Sequence, residues 1–106
     1  MTLPIYLDYA ATTPLGPEVL NEMLPYFIEN FGNAGSRHHA YGWLAEEAVD
    51  VAKERIAKAF LCKKNEIIFT SGATESINLA LKGFLELNPD YQIISCVTEH
   101  KATLEV

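Results

Sequence analysis

Apolar residues recur at helical spacing along three stretches of the chain. We expect the first helix to begin at Pro17, because proline suits the first helical position. Pro25 should kink or restart this helix, and Gly32 should end it. The second helical stretch covers residues 43–61 and the third covers residues 73–87. The apolar stripe of the second helix is Ala45, Ala48, Val49, Ala52, Ile56, Ala59 and Phe60.

Two short apolar runs have a different pattern. Residues 66–69 precede the third helix and residues 91–97 follow it, and residues 98–101 lead into another helical start. Such runs, bounded by turn residues, are typical of buried strands, so we expect Cys96 to be buried. Strand, helix, strand and helix in this order predict an α/β fold. Two strands are fewer than a sheet usually has, so we expect the 106 residues to be an N-terminal piece of a longer polypeptide.

Composition narrows the function classes. The chain is 49% hydrophobic, 21% charged and carries a net charge of -6, which suits a folded segment without a nucleic-acid partner. No apolar run approaches the roughly 18 residues that a membrane span needs, and the N-terminus lacks the basic start of a signal peptide. We therefore expect a cytoplasmic protein with no membrane partner, in which Cys62 and Cys96 stay reduced.

Between the first predicted strand and the third helix, residues 70–76 read Thr-Ser-Gly-Ala-Thr-Glu-Ser. A helix N-terminus offers unpaired N–H groups and a partial positive charge, and Gly72 lets a ligand come close to the backbone. The turn therefore suits a phosphate group. Its glycine spacing matches neither nucleotide-binding loop pattern. On residue types alone, Ser71 and Thr74 could equally be plain helix caps.

His100 follows the second predicted strand. If the two strands are neighbours, their carboxyl ends bring His100 near residues 70–76. On its own, His100 could also be a surface histidine, and Lys101 a surface lysine. Residues 32–42 form a glycine-rich loop with two adjacent histidines. No carboxylate or thiol stands at a ligand-like spacing from them, so we expect no metal site.

Four motifs occur in a characteristic order. They are Tyr-Leu-Asp-Tyr-Ala-Ala-Thr-Thr-Pro at 6–14, the glycine-rich loop with its preceding Phe at 31–42, Thr-Ser-Gly-Ala-Thr-Glu-Ser at 70–76 and Thr-Glu-His-Lys-Ala at 98–102. Together they resemble the N-terminal part of the pyridoxal-phosphate-dependent cysteine desulfurases of the NifS/IscS type, within the class V aminotransferases. The resemblance implies fold type I, with a mainly parallel sheet flanked by helices. It also implies an N-terminal arm at 1–15 and the beginning of the large cofactor-binding domain at 16–106.

The resemblance assigns roles to three residues. Ala73 and Thr74 would bind the phosphate of pyridoxal 5'-phosphate, and His100 would stack on its ring and act catalytically in proton transfer. The lysine that forms the cofactor imine and the cysteine that carries the persulfide would both lie beyond residue 106. Lys101, Cys62 and Cys96 are therefore not assigned to these roles, and the chain alone is expected to be inactive.

The activity implied is removal of sulfur from L-cysteine, which gives L-alanine and an enzyme persulfide. The sulfur would pass to an iron–sulfur scaffold or another acceptor, and the complete protein would be a homodimer. A selenocysteine lyase, or another class V relative, is one alternative. A non-catalytic binding or assembly module is the other. Ala34 stands where the family usually has proline, which we expect to loosen that loop.

Overall fold

The computed structural model describes residues 3–106. The chain divides into two compact units, one that ends at Lys64 and one that begins at Asn65. The helices of the described residues are α1 (Pro17–Ile28), α2 (Ala40–Phe60), α3 (Ala73–Leu87) and α4 (Lys101–Leu104), and a single 3-10 turn covers Lys64–Glu66.

The predicted N-terminal arm contains a local turn. The Tyr6 hydroxyl donates to the backbone oxygen of Asp8 at 2.8 Å and lies 2.8 Å from the Thr12 hydroxyl. The N–H of Ala11 also donates to the Asp8 oxygen, at 3.1 Å. These bonds join residues close in sequence, so the arm has local structure of its own. Residues 1 and 2 of the predicted arm lie outside the described residues.

Helix α1 begins at Pro17, as the sequence predicts. Pro25 does not restart it, because the helix continues through this residue to Ile28. The carbonyl of Pro25 accepts the N–H groups of both Glu29 and Asn30, each at 2.8 Å. This shared acceptor ends the helix before the predicted stop at Gly32.

The loop before α2 is fastened to the helix it precedes. A Cβ on Gly42 would overlap the backbone oxygen of Ser36, so only glycine permits this approach. The indole Nε1 of Trp43 donates to the backbone oxygen of Arg37 at 2.9 Å. His39 caps the helix, because its Nδ1 accepts the N–H of Gly42 at 3.2 Å. The loosening expected from Ala34 in this loop stays a prediction.

Helix α2 begins at Ala40, three residues before the predicted stretch. Ala45 and Ala57 are the only buried apolar side chains of residues 3–106. Phe60, which the sequence places on the apolar stripe of this helix, is 77% exposed. Beyond the helix, Lys64 binds Asp50 at 2.8 Å and Glu54 at 3.3 Å, and the hydrogen bond to Asp50 is the main cause of its raised pKa.

The second unit contains α3 with the predicted bounds but neither predicted strand. Within the described residues, 66–69 and 91–97 form no strand. A strand forms only beside a second strand that pairs with its backbone, and none of residues 3–106 is in a strand. Most of their apolar side chains are exposed, with Ile94 at 97% and Val97 at 90%. Cys96, predicted to be buried, is exposed for the same reason.

Replacing Gly42 tests the close approach at the start of α2. Gly42→Ala should lower the free energy of unfolding by about 1–3 kcal/mol, because the new methyl group overlaps backbone rather than a movable side chain. Gly83→Ala is the matched control, since a Cβ there meets nothing within 4 Å. It should leave stability unchanged or raise it by up to about 1 kcal/mol. Urea denaturation measures both, and equal stability of the two variants would contradict this packing.

Candidate functional site

The turn at residues 70–76, called here the 70–76 turn, is held on one side by two hydroxyl groups. Thr70 Oγ1 lies 2.6 Å from Ser76 Oγ. Both hydroxyls also lie within hydrogen-bond distance of the backbone oxygen of Gly72, at 3.2 Å from Thr70 and 3.1 Å from Ser76, so one hydroxyl donates to the other while the second can donate to this oxygen. The residues before and after the turn are thereby tied together across it.

Glu75 holds the other side of the 70–76 turn. Its Oε2 accepts the N–H of Ser71 at 2.7 Å and the hydroxyl of Ser71 at 2.6 Å. In a capping box a glutamate at this position of the first turn binds the N–H of the N-cap residue, whereas Glu75 binds Ser71, one residue before the N-cap Gly72. The hydroxyl of Ser71, and then its N–H, lower the pKa of Glu75 below its ordinary value. The carboxylate is thus held in its charged form at the positive end of α3.

Between these two contacts the start of α3 is open. The first helical hydrogen bond runs from the N–H of Ser76 to the oxygen of Gly72, at 3.1 Å. The N–H groups of Ala73 and Thr74 come earlier and have no helical acceptor. The Thr74 hydroxyl makes no hydrogen bond among the described residues, and a Cβ on Gly72 would meet nothing within 4 Å. The turn therefore presents donors beside free space.

His100 lies at the start of α4. A hydrogen bond of 3.1 Å from the N–H of Glu99 to the oxygen of Cys96 closes the turn before it. The Cys96 thiol lies 3.0 Å from the Thr98 hydroxyl, which lowers the pKa of this thiol. The Nδ1 atom of His100 accepts the N–H of Ala102 at 3.1 Å, so the side chain is the N-cap of α4.

The structure thus places the predicted site residues at two helix N-termini. Ala73 and Thr74 are the first residues of α3, and His100 precedes α4. The two helices belong to the same unit and contact each other. All three residues are exposed. Lys101 is the first residue of α4 and is also exposed.

Sequence reasoning missed two features of this unit. The first is the role of Glu75 in shaping the turn, for which the serine four residues earlier was an available signal. The second is an open, mainly apolar groove of about 500 Å³ along α3. It is lined by Glu66, Ile68, Thr70, Ser76, Leu79, Ala80, Gly83 and Leu87. Two of these residues, Thr70 and Ser76, also hold the 70–76 turn.

Among residues 3–106, no three or more His, Cys, Asp or Glu side chains are grouped to hold a metal ion. None of the helices that the structure describes is both long enough and apolar enough to cross a membrane.

Comparison with known families decides what the chain is. The model of the class-V aminotransferases matches residues 5–106. The chain belongs to the class-V aminotransferase family. The 70–76 turn and His100 both lie within the matched part of this class-V aminotransferase chain.

Curated relatives are close in sequence and considerably longer. The chain is 52% identical to the cysteine desulfurase IscS of Anaeromyxobacter sp. (strain Fw109-5) and 54% identical to that of Rickettsia akari. Each comparison covers 99% of this class-V aminotransferase chain and 26% of the relative. The chain therefore spans about a quarter of the length of these relatives.

A solved structure of a NifS-like protein resembles the chain with a TM-score of 0.86 at 40% identity. The match covers 97% of this chain and 29% of the other. Together with the family match, this likeness shows the fold of pyridoxal-phosphate-dependent transferases of the class-V aminotransferase family. The expected sheet is not formed among the described residues, where the regular structure is helical.

The contact between Glu75 and Ser71 can be tested without any ligand. Glu75→Ala should reduce the hydrogen-exchange protection of the Ser71 N–H by about three- to tenfold, because its acceptor is removed. Glu75→Gln retains an acceptor and should lose less. Since the folded pKa of Glu75 is lowered, its contribution is complete above the ordinary carboxyl pKa and is lost as the pH falls through the folded value. Unchanged protection in Glu75→Ala would rule out this contact.

Proposed function

We propose that this chain belongs to a pyridoxal-phosphate-dependent cysteine desulfurase and supplies the part of the site that binds the cofactor phosphate and ring. The observation that carries the proposal is the open start of α3, where Ala73 and Thr74 present donors beside free space. The names of the relatives, at 52% and 54% identity, support the reaction.

The residues at the 70–76 turn fit a phosphate dianion. The N–H groups of Ala73 and Thr74 and the hydroxyl of Thr74 would hold its oxygens, and the positive end of α3 favours its charge. The missing side chain at Gly72 leaves room for the phosphate to approach, because nothing lies within 4 Å of a Cβ built there. Glu75 engages Ser71, so its carboxylate has partners of its own.

In this proposal His100 is the catalytic residue of the chain. Its flat, exposed imidazole would stack on the pyridine ring and lie where protons move. The cap on α4 holds the imidazole in one orientation, which suits a stacking group. When bound, pyridoxal 5'-phosphate supplies an electron sink for negative charge that develops on the substrate carbon.

The reaction proposed is a sulfur transfer. The carbon–sulfur bond of L-cysteine breaks, the sulfur joins a cysteine thiolate of the enzyme as a persulfide, and the carbon skeleton leaves as L-alanine. Neither Cys62 nor Cys96 is proposed as this thiolate. The persulfide then passes its sulfur to an iron–sulfur scaffold or another acceptor.

The architecture and assembly of the protein form part of the same proposal. We infer an arm at residues 1–15 and a cofactor-binding domain from residue 16, with residues 66–69 and 91–97 as strands of a mainly parallel sheet. Both segments are apolar and exposed, as strands without their neighbours would be. We also infer a homodimer in the cytoplasm, and the two free cysteines agree with a reducing compartment.

Removing the Thr74 hydroxyl tests the phosphate site. Thr74→Val should weaken the binding of pyridoxamine 5'-phosphate by roughly ten- to a hundredfold, the effect of losing one hydrogen bond to a charged group. Stability should not change, because this hydroxyl has no partner among the described residues. Calorimetric titration measures the affinity, with Thr103→Val as the matched control. Pyridoxine, which lacks the phosphate, should bind the wild type and Thr74→Val equally.

Gly72→Ala gives a second, independent test of the same site. The backbone at Gly72 is extended, with φ of 161°, and the space beside it is open, so the fold should accept alanine. The new methyl group would occupy the space proposed for the phosphate, and binding of pyridoxamine 5'-phosphate should fall at least as much as in Thr74→Val. If both variants bind it as the wild type does, the proposed phosphate site is wrong.

The sulfur-transfer activity is tested on the protein purified from its native source and loaded with pyridoxal 5'-phosphate. L-cysteine should give L-alanine and a persulfide in equal amounts during the first turnover. Release of alanine from selenocysteine but not from cysteine would favour a selenocysteine lyase. Absence of both products, with intact cofactor binding, would overturn the proposed reaction.

A further inference from the structure

Two of the three histidines of the chain cap a helix through the same ring atom. Nδ1 of His100 accepts the N–H of Ala102 at 3.1 Å, and Nδ1 of His39 accepts the N–H of Gly42 at 3.2 Å. His38 makes no hydrogen bond among the described residues. Each unit therefore contains one histidine that caps a helix, and His38, which caps none, serves for comparison.

The cap decides where the imidazole proton of His100 lies. A neutral imidazole has one nitrogen that donates and one that accepts. Because Nδ1 accepts the N–H of Ala102, the proton must be on Nε2. We infer that the N–H of Ala102 is a positioning group that fixes His100 as its Nε2–H tautomer. His100 then presents a hydrogen-bond donor to the cofactor and substrate. Its position beside a cofactor rests on the proposed function.

The backbone around His100 strengthens this constraint. Its carbonyl oxygen accepts the N–H groups of Thr103 at 2.8 Å and Leu104 at 3.3 Å, so backbone and ring are both tied to α4. The turn closed between Glu99 and Cys96 fixes the chain on the other side. The ring is exposed, so Nε2 is accessible to a ligand.

The tautomer sets the chemistry available to His100. While the cap is in place, Nδ1 has its lone pair engaged, and Nε2 already carries a proton. Neutral His100 therefore cannot act as a base through either nitrogen without losing the cap. It can donate a hydrogen bond from Nε2 to an oxygen or sulfur that gains negative charge, as a neutral histidine does in other enzymes.

Nuclear magnetic resonance of the protein labelled with 15N tests the inference without any cofactor. At a pH where the imidazoles are neutral, we expect Nδ1 of His100 to be unprotonated and coupled across the hydrogen bond to the amide nitrogen of Ala102. The same coupling should join His39 and Gly42, and none should be seen for His38. A proton on Nδ1 of His100, or no coupling to Ala102, would overturn the inference.

Ala102→Pro removes the donor at a first-turn position, where a helix accepts proline. The coupling to His100 should disappear and its tautomer ratio should approach that of His38, while His39 keeps its coupling. An unchanged His100 tautomer would show that Ala102 does not set it. If this variant does not fold, the wild-type spectrum still decides.

This test is independent of the phosphate site. The tautomer is measured without ligand, whereas the cofactor proposal depends on pyridoxamine 5'-phosphate binding at Thr74. A capped Nε2–H tautomer with no binding would refute only the cofactor proposal. Binding without the cap would refute only the inference about Ala102.

Discussion

The open N-terminus of α3 depends on one arrangement of hydrogen bonds, in which side chains on both sides of Gly72 hold the backbone without covering it. Glu75 binds Ser71, and Ser76 pairs with Thr70. If either pair faced the helix axis as an ordinary cap does, its oxygens would take the N–H groups that a phosphate needs. The donors stay available because the polar side chains of the turn bind one another.

These contacts are all local. The largest sequence separation spanned by a hydrogen bond of the 70–76 turn is six residues, between Thr70 and Ser76. Forming a contact between residues close in sequence costs little conformational entropy, because the loop that it closes is short. The cap of His100 by Ala102 spans only two residues. Both halves of the proposed cofactor site can therefore take shape even though neither segment at 66–69 or 91–97 is paired as a strand.

The difference between contacts within a few residues and contacts with distant parts of the chain explains what the sequence could predict. Helix α3 has the predicted bounds because proline, glycine and apolar spacing act within a few residues. The strands were not found because the pairing of a strand depends on distant chain, and Ile94 and Val97 stay exposed without it. Thr74 and His100 are proposed from motifs. The contact of Glu75 with Ser71 had a signal in their four-residue spacing, but serine and glutamate also occur as ordinary surface residues, so this spacing alone did not predict the contact.

A side chain that caps a helix can also be chemically constrained by that cap. His100 gives up the acceptor capacity of Nδ1 to stabilise the start of α4, and the proton then resides on Nε2. Stacking on a ring needs a fixed plane, and the cap supplies one. Proton transfer through the same imidazole needs a free lone pair, and the cap removes it. Of the two roles that the family resemblance assigns to His100, the capped state therefore supports stacking and hydrogen-bond donation, while acceptance of a proton requires the contact with Ala102 to open.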